Sequence, residues 1–545
     1  MAFSSKGLVH RSTPTGRRGM VTSAHPLASL AGLRILMQGG NAIDAAVATA
    51  AALNVVEAYM SGIGGVGYMH IYSAAKKEHK IVDYIGLTPA AADVALYDTE
   101  EKKDQGPLSP LVPGSCGGWL AALERYGTMD AATVFEPAIE YAEQGYALSL
   151  KNHTFYSSCA PALSKFPSSV QTYLPGGTAP RPGEVLVQQD LANTYRQVAE
   201  GGAEVFYRGD IGDRIVRFME ETGGLITRQD LEGFKVEFHD PIEVDYRGYR
   251  ICAPPMPCQA VQYLMTLNLL EGYDIAAMGH NTADSLHHFI EAVKLATADR
   301  AEYSAIDNPP TAGMLSKEYA AARRQLITDR AQPTGGDRYT VDKLPGEVMP
   351  GDPNSWMKTE CTTHFDTIDA DGNAVSVTQS LGSGFGSSMV VPGTGIALNN
   401  FIRWYDSQPQ SPNAIAPLKK LEMCLSPAQV WDEGGLRLLI GTPGGHGILQ
   451  TTPQMIMNVL DHDMNIQAAI EAPRLKTLNQ GLEIDAEARI SAEVRAELEK
   501  KGHTFNLLED WSPGVGGGQG IMVDPDTGSF MGGADPRRDG YAMGW

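Results

Sequence analysis

The segment Ala42–Glu57, AIDAAVATAAALNVVE, restricts the fold more than any other stretch of this chain. Asp44 and Glu57 are its only charges, and alanine dominates the rest. A helix that is apolar all round must be enclosed by other elements, so the chain needs layers on more than one side of it. Next comes SGIGGVGYMHIY, a glycine-rich turn that predicts a short strand from Tyr68 to Tyr72. Gly62, Gly64, Gly65 and Gly67 follow a helix and precede a strand, the reverse of a dinucleotide fingerprint. They predict a tight turn with close backbone approach, not a phosphate loop.

From roughly Leu120 to Val293 the apolar spacing predicts mainly helices. Ser285–Tyr303 reads as an amphipathic helix, on which the adjacent His287 and His288 point to different sides and do not share a metal. The stretch 335–354, GGDRYTVDKLPGEVMPGDPN, is polar and rich in turn formers and predicts an exposed, mobile loop. The texture then changes. KTECTTHFDTIDADGNAVSVTQSLGSGFG, MVVPGTGIALNN and LRLLIGTPGGHGI alternate in short runs broken by tight turns, which predicts strands. A last helix is expected over Ser491–Lys501. Strands with helices before and after them predict a layered α and β structure.

A formal charge of −21 repels phosphate backbones and argues against a nucleic-acid partner. The six cysteines form no CxxC pair, and no histidine cluster has zinc spacing, so we expect thiols, no metal and no cofactor. The first twenty residues lack an apolar signal core, and no run of eighteen apolar residues occurs. The expectation is a cytoplasmic protein without a membrane span.

Asp371-Gly372 predicts a hairpin between two alternating strands. A two-residue loop sets Thr363 opposite Ser380 and Thr362 opposite Leu381; a three-residue loop sets Ser380 opposite Thr362. Either register brings a second hydroxyl to the start of the first strand. An internal threonine hydroxyl is a poor nucleophile without a base. Scission of the Cys361–Thr362 bond by the Thr362 hydroxyl would give the same residue a free α-amine of pKa about 7.7–8.0, a suitable base at neutral pH. Thr442-Pro443-Gly444-Gly445 follows the LRLLIG strand. Its consecutive glycines leave N–H groups uncovered for an oxyanion, although a plain strand-to-helix turn has the same signature.

These residues resemble the γ-glutamyltranspeptidase family. CTTHF, DGNAVSVTQSLGSGFG, PGTGIALNN and GTPGG carry the likeness, together with GMVTSAHPLASLAGLRILMQGGNAIDAAVA, LVPGSCGGWLAALERYGTM, EAVKLATADRAEY and EAPRLKTL. The resemblance implies an α+β fold, a four-layer αββα sandwich of the N-terminal-nucleophile hydrolase type. It implies self-cleavage into a large fragment, 1–361, and a small one, 362–545, forming one globular heterodimer; further dimerisation is left open. It implies Thr362 as nucleophile, Thr378 or Ser380 holding its α-amine, Gly444 and Gly445 as oxyanion hole, and Asn399 and Asn400 near the floor of the site.

The departures concern substrate recognition. Where γ-glutamyl-specific members carry an arginine in a DFREMAP-like motif, this chain has DYIGLTP, with Ile85. A bidentate carboxylate clamp cannot be made by isoleucine. Phe401 and Trp404 stand near where such members hold the substrate amine, LEMCLSP lacks a serine pair, and Gly382 replaces an asparagine or glutamate. The expected activity is hydrolysis of a small amide with some other acyl group, as in relatives such as the cephalosporin acylases and oxamate amidohydrolases. A genuine γ-glutamyltransferase or glutathione hydrolase is the alternative, and an inactive binding protein on the same fold is the third. Arg403, Lys419 and Lys420 are candidates to meet an acidic acyl group, or else ordinary surface charges.

Overall fold

A computed structural model describes residues 3–4, 6–332, 361–409, 411–477 and 482–545. The expected loop at 335–354 lies outside the described residues. The chain divides into two compact units.

One unit comprises Thr15–His239, Glu360–Leu421 and Arg538–Trp545. Its seven-stranded sheet runs in the order Tyr541–Gly544, Gly19–Ser23, Cys361–Asp369, Ala374–Gly382, Val66–Ser73, Glu78–Asp83, Glu237–His239. Every neighbouring pair is antiparallel. The apolar segment forms the helix Ala42–Val56, buried at every position. Asn41 caps it in a capping box with Asp44, and the Thr367 hydroxyl donates to Ala42 O at 2.7 Å. Phe365, Val375, Val377 and Leu381 share one core with this helix. The glycine run does allow close approach: a Cβ on Gly65 would lie 2.4 Å from Ser380 O, in the strand that faces the candidate nucleophile.

The other unit comprises Met1–Pro14, Asp240–Thr359 and Glu422–Arg537. Six of its strands share a sheet and lie in the order Phe530–Ala534, Gln519–Val523, Gly435–Gly441, Ala428–Asp432, Tyr249–Ala253, Ile242–Tyr246. Helices Val261–Leu270, Ala283–Tyr303 and Ile448–Leu460 pack in the same unit. His287 is buried on the second of these, with Nδ1 2.9 Å from His503 Nε2, whereas His288 is half-buried. The hairpin Ile242–Tyr246/Tyr249–Ala253 interrupts the mainly helical stretch expected from Leu120 to Val293. Its turn, Arg247-Gly248, has φ of 56° and 79°, which a two-residue hairpin loop requires. The alternation in IEVDY and YRICA was the signal available for it.

Candidate active site

The hairpin that carries Thr362 closes through a three-residue loop. Gly372 takes φ of 86°, and Asp369 N–H donates to Asn373 O at 3.1 Å. The Asp369 carboxylate fixes the loop length by accepting from Asp371 N at 3.0 Å and Asn373 N at 3.0 Å. Of the two registers the sequence allows, this loop selects the one that pairs Thr362 with Ser380.

Because side chains alternate along a strand, Thr362, His364 and Asp366 share one face with Ser380, Thr378 and Ser376. All six are buried. His364 Nδ1 lies 2.8 Å from Thr378 Oγ1, and His364 Nε2 lies 3.3 Å from Asp366 Oδ1. Thr378 therefore engages His364, and Ser380 is the hydroxyl opposite Thr362. Ser380 Oγ donates to Cys361 O at 2.6 Å and accepts from Gly382 N at 2.8 Å. The carbonyl of the Cys361–Thr362 bond is thus polarised by a hydroxyl that a backbone N–H holds in place. Thr362 is 1% exposed, and its Oγ1 has no hydrogen-bond partner among the described residues. A buried polar atom left so is uncommon and calls for a reason.

On the opposite face Thr363 Oγ1 donates to Glu57 Oε2 at 2.9 Å. Sequence reading passed over Glu57 because it closes an otherwise apolar helix. Burial pushes its carboxyl up to about 7, against the opposing effects of the Arg538 charge and the Thr363 hydrogen bond. The folded chain then holds a proton that the unfolded chain releases above about pH 4.3. Glu57 stabilises the fold at acid pH, and this contribution is lost as pH rises through about 7. Glu57→Gln, which cannot ionise, is expected to flatten that decline in melting temperature between about pH 5 and 8.

Gly382 follows the hairpin with φ of 103°, and a Cβ there would lie 2.0 Å from Asn400 Oδ1. Asn400 Nδ2 donates to Asp104 O at 2.7 Å and to Ser383 Oγ at 3.0 Å, while its Oδ1 accepts from Ser383 N at 2.9 Å. Arg403 joins this knot through an ion pair of 2.8 Å with Asp104 and a contact to Ser383. Gly382→Ala is expected to cost about 1–3 kcal/mol through strain alone, read as a lowered melting temperature. Asn399 is occupied by backbone: Nδ2 donates to Gly64 O and Leu111 O, both at 3.0 Å, and Oδ1 accepts from Leu111 N at 2.9 Å.

Ile85, Phe401 and Trp404 are all buried, the last two in a short turn Phe401–Trp404. Lys420 Nζ lies 2.7 Å from Asp83 and 2.6 Å from Glu237, and Lys419 Nζ donates to Ala414 O at 3.0 Å. Asp83, Glu237 and His239 converge closely enough to hold a metal, but the Lys420 ammonium already supplies the positive charge there. In the other unit, Gly444 and Gly445 take φ of 134° and 59° at the turn between strand Gly435–Gly441 and helix Ile448–Leu460. Among the described residues no helix is long and apolar enough to cross a membrane.

The model of the gamma-glutamyltranspeptidase family matches residues 28–545. An Acylase ACY 1 proenzyme of Pseudomonas sp. (strain V22) is 36% identical over 542 residues, covering 96% of this chain and 93% of that protein. A glutathione hydrolase proenzyme of Escherichia coli (strain K12) is 34% identical over 548 residues, covering 96% and 90%. A crystal structure of cephalosporin acylase from Bacillus halodurans superposes with a TM-score of 0.89 at 32% identity, covering 99% of this chain and 98% of that one. By sequence along nearly its whole length, and by fold, the chain belongs to the gamma-glutamyltranspeptidase family and is an autoprocessing α+β amidohydrolase of the N-terminal-nucleophile class.

Proposed function

We propose that the chain cuts itself between Cys361 and Thr362 and then uses Thr362 to hydrolyse a small amide. The observation that carries this is the buried, unpartnered Thr362 hydroxyl beside a carbonyl that Ser380 polarises. In the precursor Thr362 Oγ adds to the Cys361 carbonyl carbon, and the hydroxyl proton passes to the departing nitrogen. Water cleaves the resulting ester. Cys361 keeps a carboxylate, and Thr362 keeps its hydroxyl and gains an α-amine. Residues 1–361 and 362–545 remain together as a heterodimer.

In turnover the amine accepts the Thr362 hydroxyl proton as Oγ attacks the substrate carbonyl. The leaving amine takes that proton, and water releases the acid from the acyl-enzyme. Ser380 orients Thr362, Thr378 acts at one remove by holding His364, and Gly444 and Gly445 supply oxyanion donors. No step calls for a metal or cofactor, and we place the enzyme in the cytoplasm.

We assign an acyl group other than free γ-glutamate. Ile85 offers no clamp for an α-carboxylate, Phe401 and Trp404 are aromatic and buried, and Asn399, Lys419 and Lys420 are engaged within the protein. An acylase and a cephalosporin acylase among the relatives favour the same assignment. The glutathione hydrolase relatives favour γ-glutamyl donors as the second reading. A panel of p-nitroanilides with varied acyl groups separates the two. Apolar or aromatic acyl groups are expected to turn over faster than γ-glutamyl-p-nitroanilide, and the reverse order would promote the second reading.

A further inference from the structure

Four of the six cysteines, Cys116, Cys252, Cys258 and Cys424, are buried. The two that are partly accessible, Cys159 and Cys361, come together although 202 positions separate them in sequence. Cys159 lies on the helix Leu150–Leu163, and Cys361 opens the strand that carries Thr362. Both sulfurs lie beside Gly384. A Cβ placed on it would lie 2.5 Å from Cys159 Sγ and 3.8 Å from Cys361 Sγ, so the sulfurs are no farther apart than those two distances together.

Aromatic packing anchors the helix at this spot. Phe155 stacks on Tyr59 with centroids 4.4 Å apart, Tyr156 meets Phe385 edge-on at 5.0 Å, and Phe385 N donates to Tyr59 O at 3.1 Å. The absent side chain of Gly384 thus leaves room for two thiols in a rigid setting, one of them on the residue whose carbonyl is the target of self-cleavage.

We propose that Cys159 and Cys361 form a reversible disulfide that holds the cleaved end of the large fragment over the nucleophile and keeps the enzyme inactive until reduced. The oxidant is a low-molecular-weight disulfide, R–S–S–R. One thiolate attacks it and expels RS⁻; the other attacks the mixed disulfide and expels a second RS⁻. The two protein thiols lose two protons and two electrons, and R–S–S–R becomes two RSH. Excess thiol runs the exchange backwards. The link itself needs the two sulfurs to close from that separation to bonding distance; its effect on activity rests on the self-cleavage proposed above. Cys361 O accepts from Ser380 Oγ. After scission that oxygen belongs to a carboxylate. Tied through Cys159, the carboxylate stays on Ser380, beside the Thr362 hydroxyl that has to reach a substrate carbonyl. With the link reduced, the chain end can leave.

The test uses purified wild-type protein and Cys159→Ser, each treated with hydroxyethyl disulfide, which carries no γ-glutamyl group. Remaining thiols are alkylated, the protein is digested, and the peptides are weighed. In parallel, activity is followed before and after dithiothreitol. The expected results are a Cys159–Cys361 cross-linked peptide and loss of most wild-type activity, restored by the reductant. Cys159→Ser is expected to stay active in the oxidant. Two alkylated peptides with no cross-link would overturn the proposal, as would fully linked wild-type enzyme turning over at the reduced rate. The wild-type cycle alone decides the matter if Cys159→Ser folds poorly. The same spectra show whether the Cys361 peptide ends there or runs on into TTHF, so failed cleavage and a failed link give different masses.

Discussion

Thr362→Ala leaves a single uncleaved polypeptide that hydrolyses none of the amides the wild type accepts. Two losses coincide in this variant. Without the hydroxyl, nothing adds to the Cys361 carbonyl, so the α-amine is never made. Without nucleophile and amine, turnover loses both attacking atom and base, and a fall of at least about three orders of magnitude is expected. The fold should survive, because Thr362 Oγ1 makes no hydrogen bond among the described residues whose loss would cost stability. An unchanged melting temperature with one band on a denaturing gel is the expected pairing. Two bands from this variant would remove Thr362 from the processing step.

Ser380→Ala is expected to slow self-cleavage by about a hundred- to a thousandfold, the scale seen when one oxyanion donor is removed, and to lower kcat as well because Ser380 orients Thr362. The argument is geometric. Ser380 Oγ is the 2.6 Å donor to the carbonyl that must develop negative charge in the precursor, and Gly382 N holds it there. Ser380→Thr keeps the hydroxyl and should retain most of the processing rate. Time courses of fragment appearance for the two variants give the comparison. Equal rates for alanine and threonine would relieve Ser380 of this role.

Some of this was plain from residue order and some could not be. The apolar helix after Asn41 and the strand change at TTHF follow from periodicity alone, since a nearly uncharged helix and an alternating strand each tolerate few alternatives. The hairpin register did not follow. It hangs on whether the Asp369 carboxylate captures two loop N–H groups, a choice between loops differing by one residue. The pair Ile242–Tyr246 and Tyr249–Ala253 went unread because each strand is short and flanked by helical sequence. Within the site, the alternation in TTHFD already puts Thr362, His364 and Asp366 on one face. Gly64, Asp104 and Asp83, which engage Asn399, Arg403 and Lys420, lie far away in sequence, which no local pattern encodes. Cys159 and Cys361 are likewise joined only by the fold.

The intact mass of the purified, active wild-type protein, taken with the N-terminal sequence of each fragment, tests the central claim most directly. The expected result is two polypeptides, the smaller beginning Thr362-Thr363-His364-Phe365. A single mass for the joined chain in a preparation that hydrolyses amides would contradict it.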